Sequence, residues 1–583
     1  MSSAHVDESL RRVILRHALE NAVKHSGRAS LNPVINKVLG ERQDLRSRVR
    51  ELIPVINEII SYVNSLSIDD QMRLLRDLGV EIEERREERK TLPPLPEVYD
   101  NYVVTRFAPN PDFVLHLGNA RPALLSHVYA HEIYSGKMIL RFEDTDPRIK
   151  KPLPEAYKII KEDLAWLGIK WEEEYIQSLR MEIYYDIARK LIERGGAYID
   201  LLSREEFRRL KLERKPSPYR DTDPYKNLEL FDKMISGGFG EGEAVLRVKT
   251  DLNHPDPSVI DWIAFRIIDT DKNPHPITGS RYVVWPTYNF AAAIDDHLMG
   301  VTHVFRGREH AQNTTKQMYI YSHMGWRYPV VIAHGRIKLE GFILSKSKIK
   351  NLLYKYPDLF KGFSDPRFGT LASLRERGIE PETVREVILD TGIKPSDASI
   401  SWDIVAATNR KKIDPVTKRV FFVENPVKVY LENLQEELCN NIPYHPTNQI
   451  LGHRKLCVDL DEKGFFVYVQ RDDITSLKSM RLMELANIEV VEKIDEITYI
   501  ARIISKDLDT ARRMKLQIVQ WVGRESIPTV LQHPIGLRLR KRRGLIESSV
   551  IEDESRVYQL IRVGFVKVVR KSSRIVDLLF IHE

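Results

Sequence analysis

The stretch YVVTRFAPNPDFVLHLGNAR (102–121) decides the fold of the central part of the chain. Its first six residues are a β-rich run, and APNPDFVL after them predicts a loop. A helical pattern follows, with Leu117, Ala120, Leu124 and Val128 on one face. KMILRFE (137–143) is the next strand candidate. This β-loop-α-β order predicts a right-handed crossover and a parallel, doubly wound sheet.

The same alternation continues further along the chain. VVWPTYNF (283–290), AAAIDDHLMG (291–300) and THVFRG (302–307) precede a helical pattern from about 309 to 324, and YPVVIAHG (328–335) follows it. The fold class expected here is therefore α/β, with a Rossmann-type nucleotide-binding domain.

The two ends of the chain have sequence patterns that differ from that of the central part. For residues 1 to about 95 the pattern predicts helices only. Apolar side chains recur there at helical spacing, namely Val49, Leu52, Ile56, Ile59 and Val63, and the charged run EIEERREERK (81–90) follows them. TLPPLPEV (91–98) predicts a stiff linker. After about 410, β-rich runs such as GFFVYVQ (464–470) alternate with turn signals, which favours one or two β-barrels.

Composition excludes several classes of protein. The 583 residues include 90 basic and 83 acidic ones, a net charge of +7 that does not by itself indicate a nucleic-acid partner. Only two cysteines, Cys439 and Cys457, are present. They are too few for a Cys₄ zinc site or a disulfide framework, so free thiols in a reducing compartment are expected. No apolar run of ~18 residues occurs. We therefore expect a soluble, cytoplasmic protein that does not associate with a membrane and binds no zinc.

Two short motifs suggest the chemistry. Doubly wound sheets bind ligands beyond the carboxyl ends of their strands, and HLGN (116–119) stands there. A glycine at position 118 leaves room for a flat base, and His116 can donate to phosphate oxygens. In GFILSKSKIKN (341–351), Lys346 can meet the charge that develops as pyrophosphate leaves. Taken singly, each motif also fits a chance match or a solvated basic loop.

Together the motifs resemble those of the class I aminoacyl-tRNA synthetases. HLGN resembles their HIGH signature, and LSKS (344–347) resembles their KMSKS loop. RFAPNPD, ILRFEDTDPR (139–148) and YNFAAAIDDHLMGVTHVFRGREH (288–310) are similar to the glutamyl and glutaminyl enzymes, over residues 100–350 in all. The chain departs from the pattern at Asn119, where many relatives carry histidine, and at Ile343, which replaces the first lysine of the loop.

The resemblance implies the residues of the active site. The catalytic set would be His116, Gly118, Asn119 and Lys346; the ATP-binding set would be His116, Gly118, Ser345, Lys346 and Ser347; and the amino-acid-binding set would be Arg106, Glu143, Tyr288 and Arg306. ATP and Mg²⁺ are the implied cofactors, and no protein-bound metal is expected.

Arg306 is the position that would distinguish glutamate from glutamine. By the resemblance, glutamyl enzymes carry arginine there, whereas similar glutaminyl enzymes carry an uncharged residue. A buried guanidinium stabilises a γ-carboxylate but would be left unpaired by an amide. Arg306 could instead be an ion-pair partner of Glu309 or Asp295, and that alternative stays open.

The expected function is therefore ATP-dependent ligation of L-glutamate to tRNA(Glu) through a glutamyl-adenylate. Whether tRNA(Gln) is also charged stays open, and a monomer is compatible with the sequence. The alternatives are a glutaminyl-tRNA synthetase and a non-catalytic RNA-binding relative.

The resemblance also implies a domain order of the archaeal and eukaryotic type. The expected parts are a helical N-terminal domain (1–97), a first catalytic half (98–202), an inserted region that binds the tRNA acceptor end (203–285), a second catalytic half (286–352), a helical connecting domain (353–415) and anticodon-binding β-barrels (416–583). In the last part, Arg538, Arg540, Lys541 and Arg542 are expected to contact tRNA phosphates, and WVGR (521–524) places another basic residue near an aromatic one.

Overall fold

A computed structural model describes residues 8–24, 29–66, 68–78, 92–523 and 525–583. The chain forms two compact units, 1–91 and 92–583. The charged run 81–90 and the first residue of the predicted linker lie outside the described residues. Among the described residues, no helix is both long and apolar enough to span a membrane.

The N-terminal unit is helical, as the apolar spacing predicted. Leu52, Ile56, Ile59 and Val63 are all buried on one helix, and Val49 begins it. The described part of this unit contains the α-helices α1 Glu8–Lys24, α2 Leu31–Glu41, α3 Val49–Ser65 and α4 Ile68–Asp77.

The second unit begins with the predicted β-α-β arrangement. Its three strands pair in parallel in chain order, with Arg106 opposite Ile139, so the parallel β-α-β pairing predicted from residues 102–143 is confirmed. A π-helical turn, Tyr129–Ile133, ends the first helix. The elements are β1 Tyr102–Phe107, α5 Leu117–Val128, β2 Ser135–Phe142, α6 Pro154–Trp166 and β3 Glu173–Ile176.

An antiparallel four-stranded sheet follows. Its strands pair in chain order and pack, with the helices beside them, around Phe231, Phe265 and Trp285. The elements are α7 Met181–Glu193, β4 Ala197–Asp200, α8 Arg204–Leu212, α9 Pro224–Ile235, β5 Val245–Val248, β6 Ile263–Ile267 and β7 Val284–Pro286.

The chain then returns to the parallel strands. The next two long strands pair in parallel, and the amide of Thr302 donates to the carbonyl of Val104 at 2.9 Å, which places the first of them beside β1. The elements are α10 Tyr288–Leu298, β8 His303–Gly307, α11 Ala311–Met324, β9 Val330–His334, β10 Ile337–Leu339 and α12 Lys346–Lys355. The sheet β1–β3 and the pair β8–β9 are separate ladders, joined where Thr302 and Val104 exchange hydrogen bonds.

A short helical segment connects this region to the C-terminal part. Arg121 of α5 is completely buried and donates to the carbonyls of Gly335 and Gly392, so it ties the segment to the helix that carries the first motif. The elements are α13 Leu371–Arg377, α14 Pro381–Asp390, β11 Ala398–Ile400 and α15 Trp402–Ile413.

The C-terminal part is β-rich, as predicted. It forms a seven-stranded and an eight-stranded barrel-like sheet, each around its own apolar core, and a separate two-stranded ribbon. The strands are β12 Lys418–Val420, β13 Phe422–Glu424, β14 Pro426–Leu431, β15 Cys439–Pro443, β16 His453–Cys457, β17 Asp459–Asp461, β18 Gly464–Gln470, β19 Ser479–Leu482, β20 Ala486–Lys493, β21 Thr498–Ser505, β22 Gln517–Val519, β23 Trp521–Val522, β24 Ile527–Ile535, β25 Arg538–Ile546, β26 Val557–Leu560, β27 Gly564–Lys571 and β28 Val576–His582; the helices are α16 Arg471–Ser476, α17 Leu508–Met514 and α18 Ser549–Glu552.

The prediction of two free thiols is wrong. Cys439 and Cys457 lie opposite each other in the antiparallel β15–β16 ribbon and are joined by a disulfide. Their separation of 18 residues gave no sign of this, because the strand register that brings them together is set by the fold of the whole ribbon.

Candidate active site

A cavity of about 590 Å³ opens at the edge where the parallel strands end. All four side chains expected to bind an amino acid line it. Arg106 is on β1, Glu143 directly follows β2, Tyr288 begins α10 and Arg306 is on β8. The cavity therefore brings together residues that are up to 200 positions apart, because parallel strands direct their carboxyl ends to one side.

Arg306 is buried, and its guanidinium contacts only neutral oxygen atoms. Nη1 donates to Thr314 Oγ1 at 3.0 Å and to Gln317 Oε1 at 3.1 Å, and Nη2 lies 3.5 Å from the hydroxyl of Tyr288. Nε is buried and has no hydrogen-bond partner in the described part of the chain. Within the described residues, no carboxylate lies at ion-pair distance from Arg306.

The two carboxylates proposed as alternative partners of Arg306 are engaged elsewhere. Glu309 accepts from Arg336 Nε at 3.2 Å, and Asp295 accepts from Arg180 Nε at 2.9 Å and from the hydroxyl of Tyr184 at 2.7 Å. The structural ion pair left open from the sequence is therefore not formed.

A buried network of charges supports the other side of the cavity. Arg141 is completely buried and donates to Glu143 at 3.0 Å and to Asp296 at 2.8 Å, while Arg106 Nε lies 3.3 Å from Asp296. Burial would raise the pKa of Asp296, but the charges of Arg141 and Arg106 hold this pKa below its usual value. Burial raises the pKa of Glu143, and Arg141 opposes that rise. Asp295 lies 3.9 Å from Arg141 Nε and also pairs with Arg180. With Arg180 and Arg306 included, four guanidinium groups stand against the carboxylates of Glu143, Asp295 and Asp296, so the cluster has a formal excess of one positive charge.

The first motif forms the N-terminal cap of α5. The amide of Gly118 donates to His116 Nδ1 at 3.0 Å, and the amide of His116 donates to Asn119 Oδ1 at 3.0 Å. Burial lowers the pKa of His116 to about 4, and the nearby charge of Lys346 adds to this lowering. The ring is therefore neutral at neutral pH, and because Nδ1 accepts a hydrogen bond, Nε2 carries the proton.

Gly118 is needed for this cap. A Cβ at that position would lie 2.9 Å from His116 Cε1, so any side chain would displace the imidazole. Asn119, which also lines the cavity, uses its carbonyl oxygen in the cap and keeps its amide nitrogen as a donor.

The second motif begins helix α12. Lys346 is its first residue and forms an ion pair with the buried carboxylate of Asp112. Ser345 is the N-cap residue, and its hydroxyl lies 3.2 Å from that of Ser347. A cation at a helix N-terminus is disfavoured by the helix dipole, whereas an anion there is stabilised.

One segment of chain lies between the two motifs. The amide of Leu117 donates to the carbonyl of Gly369 at 3.1 Å, and the amide of Gly369 donates to the carbonyl of Ile343 at 3.1 Å. The structure therefore brings positions 116 and 346 into one neighbourhood despite their separation along the chain. Ile343, the departure from the resemblance, packs beside Phe113 and Phe368.

Several residues of the site escaped the sequence analysis. The unforeseen partners are Asp112, Arg141, Asp296, Thr314, Gln317 and Tyr328. A signal existed for two of them, because Asp296 interrupts the apolar helix AAAIDDHL and Arg141 interrupts the apolar strand MILRF. A charged residue in such a setting is normally paired when it is buried.

The basic residues of β25 differ among themselves. Arg538, Arg540 and Lys541 are exposed and form no ion pair in the part of the chain that the structure describes. Arg542 is partly buried and donates to Glu424 at 2.6 Å. Trp521, the aromatic residue of WVGR, is completely buried and offers no surface on which a base could stack, and Arg524 lies outside the described residues.

Comparison with known proteins agrees with the motifs. Residues 102–415 match the catalytic domain of the tRNA synthetases class I (E and Q), and residues 417–505 match their anti-codon binding domain. The chain is 53% identical to the glutamate–tRNA ligase of Hyperthermus butylicus, over 94% of this chain and 96% of that protein. It is 49% identical to that of Aeropyrum pernix, over 99% and 100%, and 51% identical to that of Ignicoccus hospitalis, over 98% and 100%.

These matches confirm the resemblance found in the motifs. The chain belongs to the class I tRNA synthetases of the glutamate and glutamine group.

Proposed function

We propose that the protein ligates L-glutamate to tRNA(Glu) with ATP, through a glutamyl-adenylate. Relatives that are about half identical to it over nearly their whole length are named as glutamate–tRNA ligases. No specific feature of the chain favours the glutaminyl or the non-catalytic alternative.

The proposal of glutamate as the amino acid rests on one observation, the surroundings of Arg306. Its buried charge meets only neutral partners at the edge of the cavity, and the surrounding cluster has one positive charge in excess. Glutamate brings a γ-carboxylate that balances this charge, whereas glutamine would bury the guanidinium without a counter-charge. A site built for a charged partner discriminates strongly against a neutral isostere.

In the first step, the α-carboxylate of glutamate attacks the α-phosphate of ATP. Glu143 holds the substrate ammonium, and Arg106 and Tyr288 lie at the side-chain end. His116 donates from Nε2 to a phosphate oxygen, and Lys346 leaves Asp112 to meet the negative charge on the departing pyrophosphate. Ser345 and Ser347 add donors at the N-terminus of α12, where the helix dipole favours phosphate.

Mg²⁺ fits this scheme as a companion of ATP. The carboxylates that line the cavity, Glu143 and Asp146, already pair with Arg141 and Arg266, so they do not form a vacant ligand pair. Phosphate oxygens and water would supply most of its ligands, and the ion would neutralise phosphate charge.

In the second step, the terminal ribose 2′-hydroxyl of tRNA takes the glutamyl group. Neither step requires a protein nucleophile, so positioning and charge stabilisation supply the rate enhancement. The parallel strands β3-β2-β1-β8-β9 act as a Rossmann-type nucleotide-binding fold, the region 203–285 binds the acceptor end, and the β-rich part 416–583 binds the anticodon. Arg538, Arg540, Lys541 and Arg542 contribute phosphate contacts there. The remaining boundaries and a cytoplasmic location stay as predicted from the sequence.

Aminoacylation of purified tRNA(Glu) and tRNA(Gln), each with glutamate and with glutamine, tests the proposal. We expect glutamate to be attached to tRNA(Glu) and glutamine to neither tRNA. Attachment of glutamine to tRNA(Gln) would contradict the proposal, and so would the absence of any charging.

A further inference from the structure

The residues that fix Arg306 are all uncharged. Gln317 of α11 is completely buried, and its Oε1 accepts both from Arg306 Nη1 at 3.1 Å and from the hydroxyl of Tyr328 at 2.6 Å. Thr314 Oγ1, one helical turn earlier, accepts from the same Nη1 at 3.0 Å. Both hydrogens of Nη1 are therefore used, and the spare donors of the guanidinium are on Nη2 and Nε.

Local hydrogen bonding does not explain why position 317 is an amide. Only Oε1 of Gln317 has partners, and its buried Nε2 donates to no described group. A carboxylate of the same shape could accept from Arg306 and Tyr328 through one oxygen in the same way, and its second oxygen would take the place of the buried N–H, which has no acceptor among the described groups.

The charge of such a carboxylate would nevertheless change the site. A glutamate beside Arg306 would form a buried ion pair and cancel the excess positive charge of the cavity. An amide fixes the same guanidinium without cancelling its charge.

We propose that Gln317, supported by Tyr328 and Thr314, is a specificity-determining positioning residue: it orients Arg306 through neutral acceptors and so leaves the arginine's charge available to an acidic substrate. This inference rests on the proposed function, because it assigns the origin of the preference for glutamate over glutamine.

The decisive experiment compares the wild-type protein with Gln317→Glu in aminoacylation of tRNA(Glu). We expect kcat/KM for glutamate to fall roughly tenfold to 100-fold, the worth of one charge-assisted hydrogen bond, and the glutamate-over-glutamine ratio to fall in parallel. The KM for ATP should not change, since Gln317 acts only through Arg306.

Gln317→Leu separates orientation from charge. It should raise the KM for glutamate because Arg306 loses an acceptor, but it should not relax selectivity against glutamine, since the positive charge remains. Thermal melting establishes that both variants are folded.

The outcomes distinguish the two proposals. A folded Gln317→Glu protein with wild-type KM and wild-type selectivity would overturn this inference while the proposed function stands. Failure of the wild-type protein to charge glutamate would instead contradict the proposed function itself.

Discussion

The amino-acid cavity and the nucleotide motifs hold their charges in different ways. In the cavity, Arg306 and Arg141 are buried, and each donates hydrogen bonds to two or more other side chains. At the second motif, the side chain of Lys346 is 37% exposed and its only ion pair among the described residues is with Asp112.

The difference corresponds to two kinds of task. Choosing between a carboxylate and an amide requires a charge that is fixed before the substrate arrives, in surroundings of low dielectric. Stabilising a leaving pyrophosphate requires a charge that can transfer from a resting partner to the phosphates. The cavity arginines are therefore each held by several partners before a substrate binds, whereas the proposed function requires Lys346 to exchange Asp112 for the phosphates.

Replacement of Arg306 should have the largest effect. For Arg306→Gln we expect kcat/KM for glutamate to fall by about 10³-fold or more, because the γ-carboxylate would be buried without its counter-charge. Steady-state aminoacylation at varied glutamate measures this, and the KM for ATP should stay constant. Arg308→Gln is the matched control, since Arg308 is exposed two positions further on. A fall in kcat/KM of less than tenfold would contradict the view that the cavity selects glutamate through a fixed charge at Arg306.

Replacement of Lys346 should have the next largest effect, on the rate constant rather than on glutamate binding. For Lys346→Ala we expect kcat for adenylate formation to fall roughly 10²-fold with little change in the KM for glutamate. Pyrophosphate exchange in the presence of tRNA is the measurement. Lys348→Ala, an exposed lysine on the same helix, should behave as the wild type. An unaltered exchange rate in Lys346→Ala would show that this loop takes no part in the chemistry.

Asp163 is a buried carboxylate outside the charge network of the cavity, and its effect on the free energy of unfolding can be measured. Its carboxylate oxygens accept no hydrogen bond from any residue that the structure describes, and Arg375 Nη2 lies 3.5 Å away. Burial raises the pKa of Asp163 to about 7 from an ordinary 3.8. The folded protein thus keeps this proton between about pH 4 and pH 7 while the unfolded chain loses it, so stability falls as pH rises through that window.

Asp163→Asn should remove that dependence. We expect the variant to be more stable than the wild type at pH 8, by on the order of 2 kcal/mol, and of similar stability near pH 4. Thermal melting at the two pH values measures the difference. Asp271→Asn, at an exposed aspartate, provides the control. Equal melting temperatures of Asp163→Asn and the wild type at pH 8 would contradict the assignment.

The smallest effect is expected on the basic strand β25. Arg540→Ala should raise the KM for tRNA a few-fold and reduce the slope of log affinity against log salt by about 1, because one phosphate contact is lost. Arg542→Ala should change tRNA binding less, since Arg542 already pairs with Glu424. A larger effect of Arg542→Ala than of Arg540→Ala would place the tRNA on a different face of the strand.

Local patterns predicted the framework of this molecule well. Residues 102–107 form β1 and Leu117 begins α5, as predicted from an apolar run and from helical spacing. Apolar runs and helical spacing depend only on residues that are close together in the sequence, so a short stretch is enough to detect them.

The contacts that orient the active-site side chains could not be predicted from such local patterns. Arg141 and Asp296 are 155 positions apart, and Lys346 and Asp112 are 234 apart. These pairs are determined by how strands and helices pack in three dimensions, and a single sequence does not encode that packing locally. The Cys439–Cys457 disulfide was missed for the same reason.

The resting pair between Lys346 and Asp112 has a consequence for the order of events. Until a nucleotide enters, the lysine's charge is neutralised by its own protein, so the empty site exerts little attraction on stray anions. Under the proposed function, a ligand that brings several negative charges should compete with the aspartate better than a singly charged one, so we expect a triphosphate to displace Asp112 from Lys346 more readily than inorganic phosphate does.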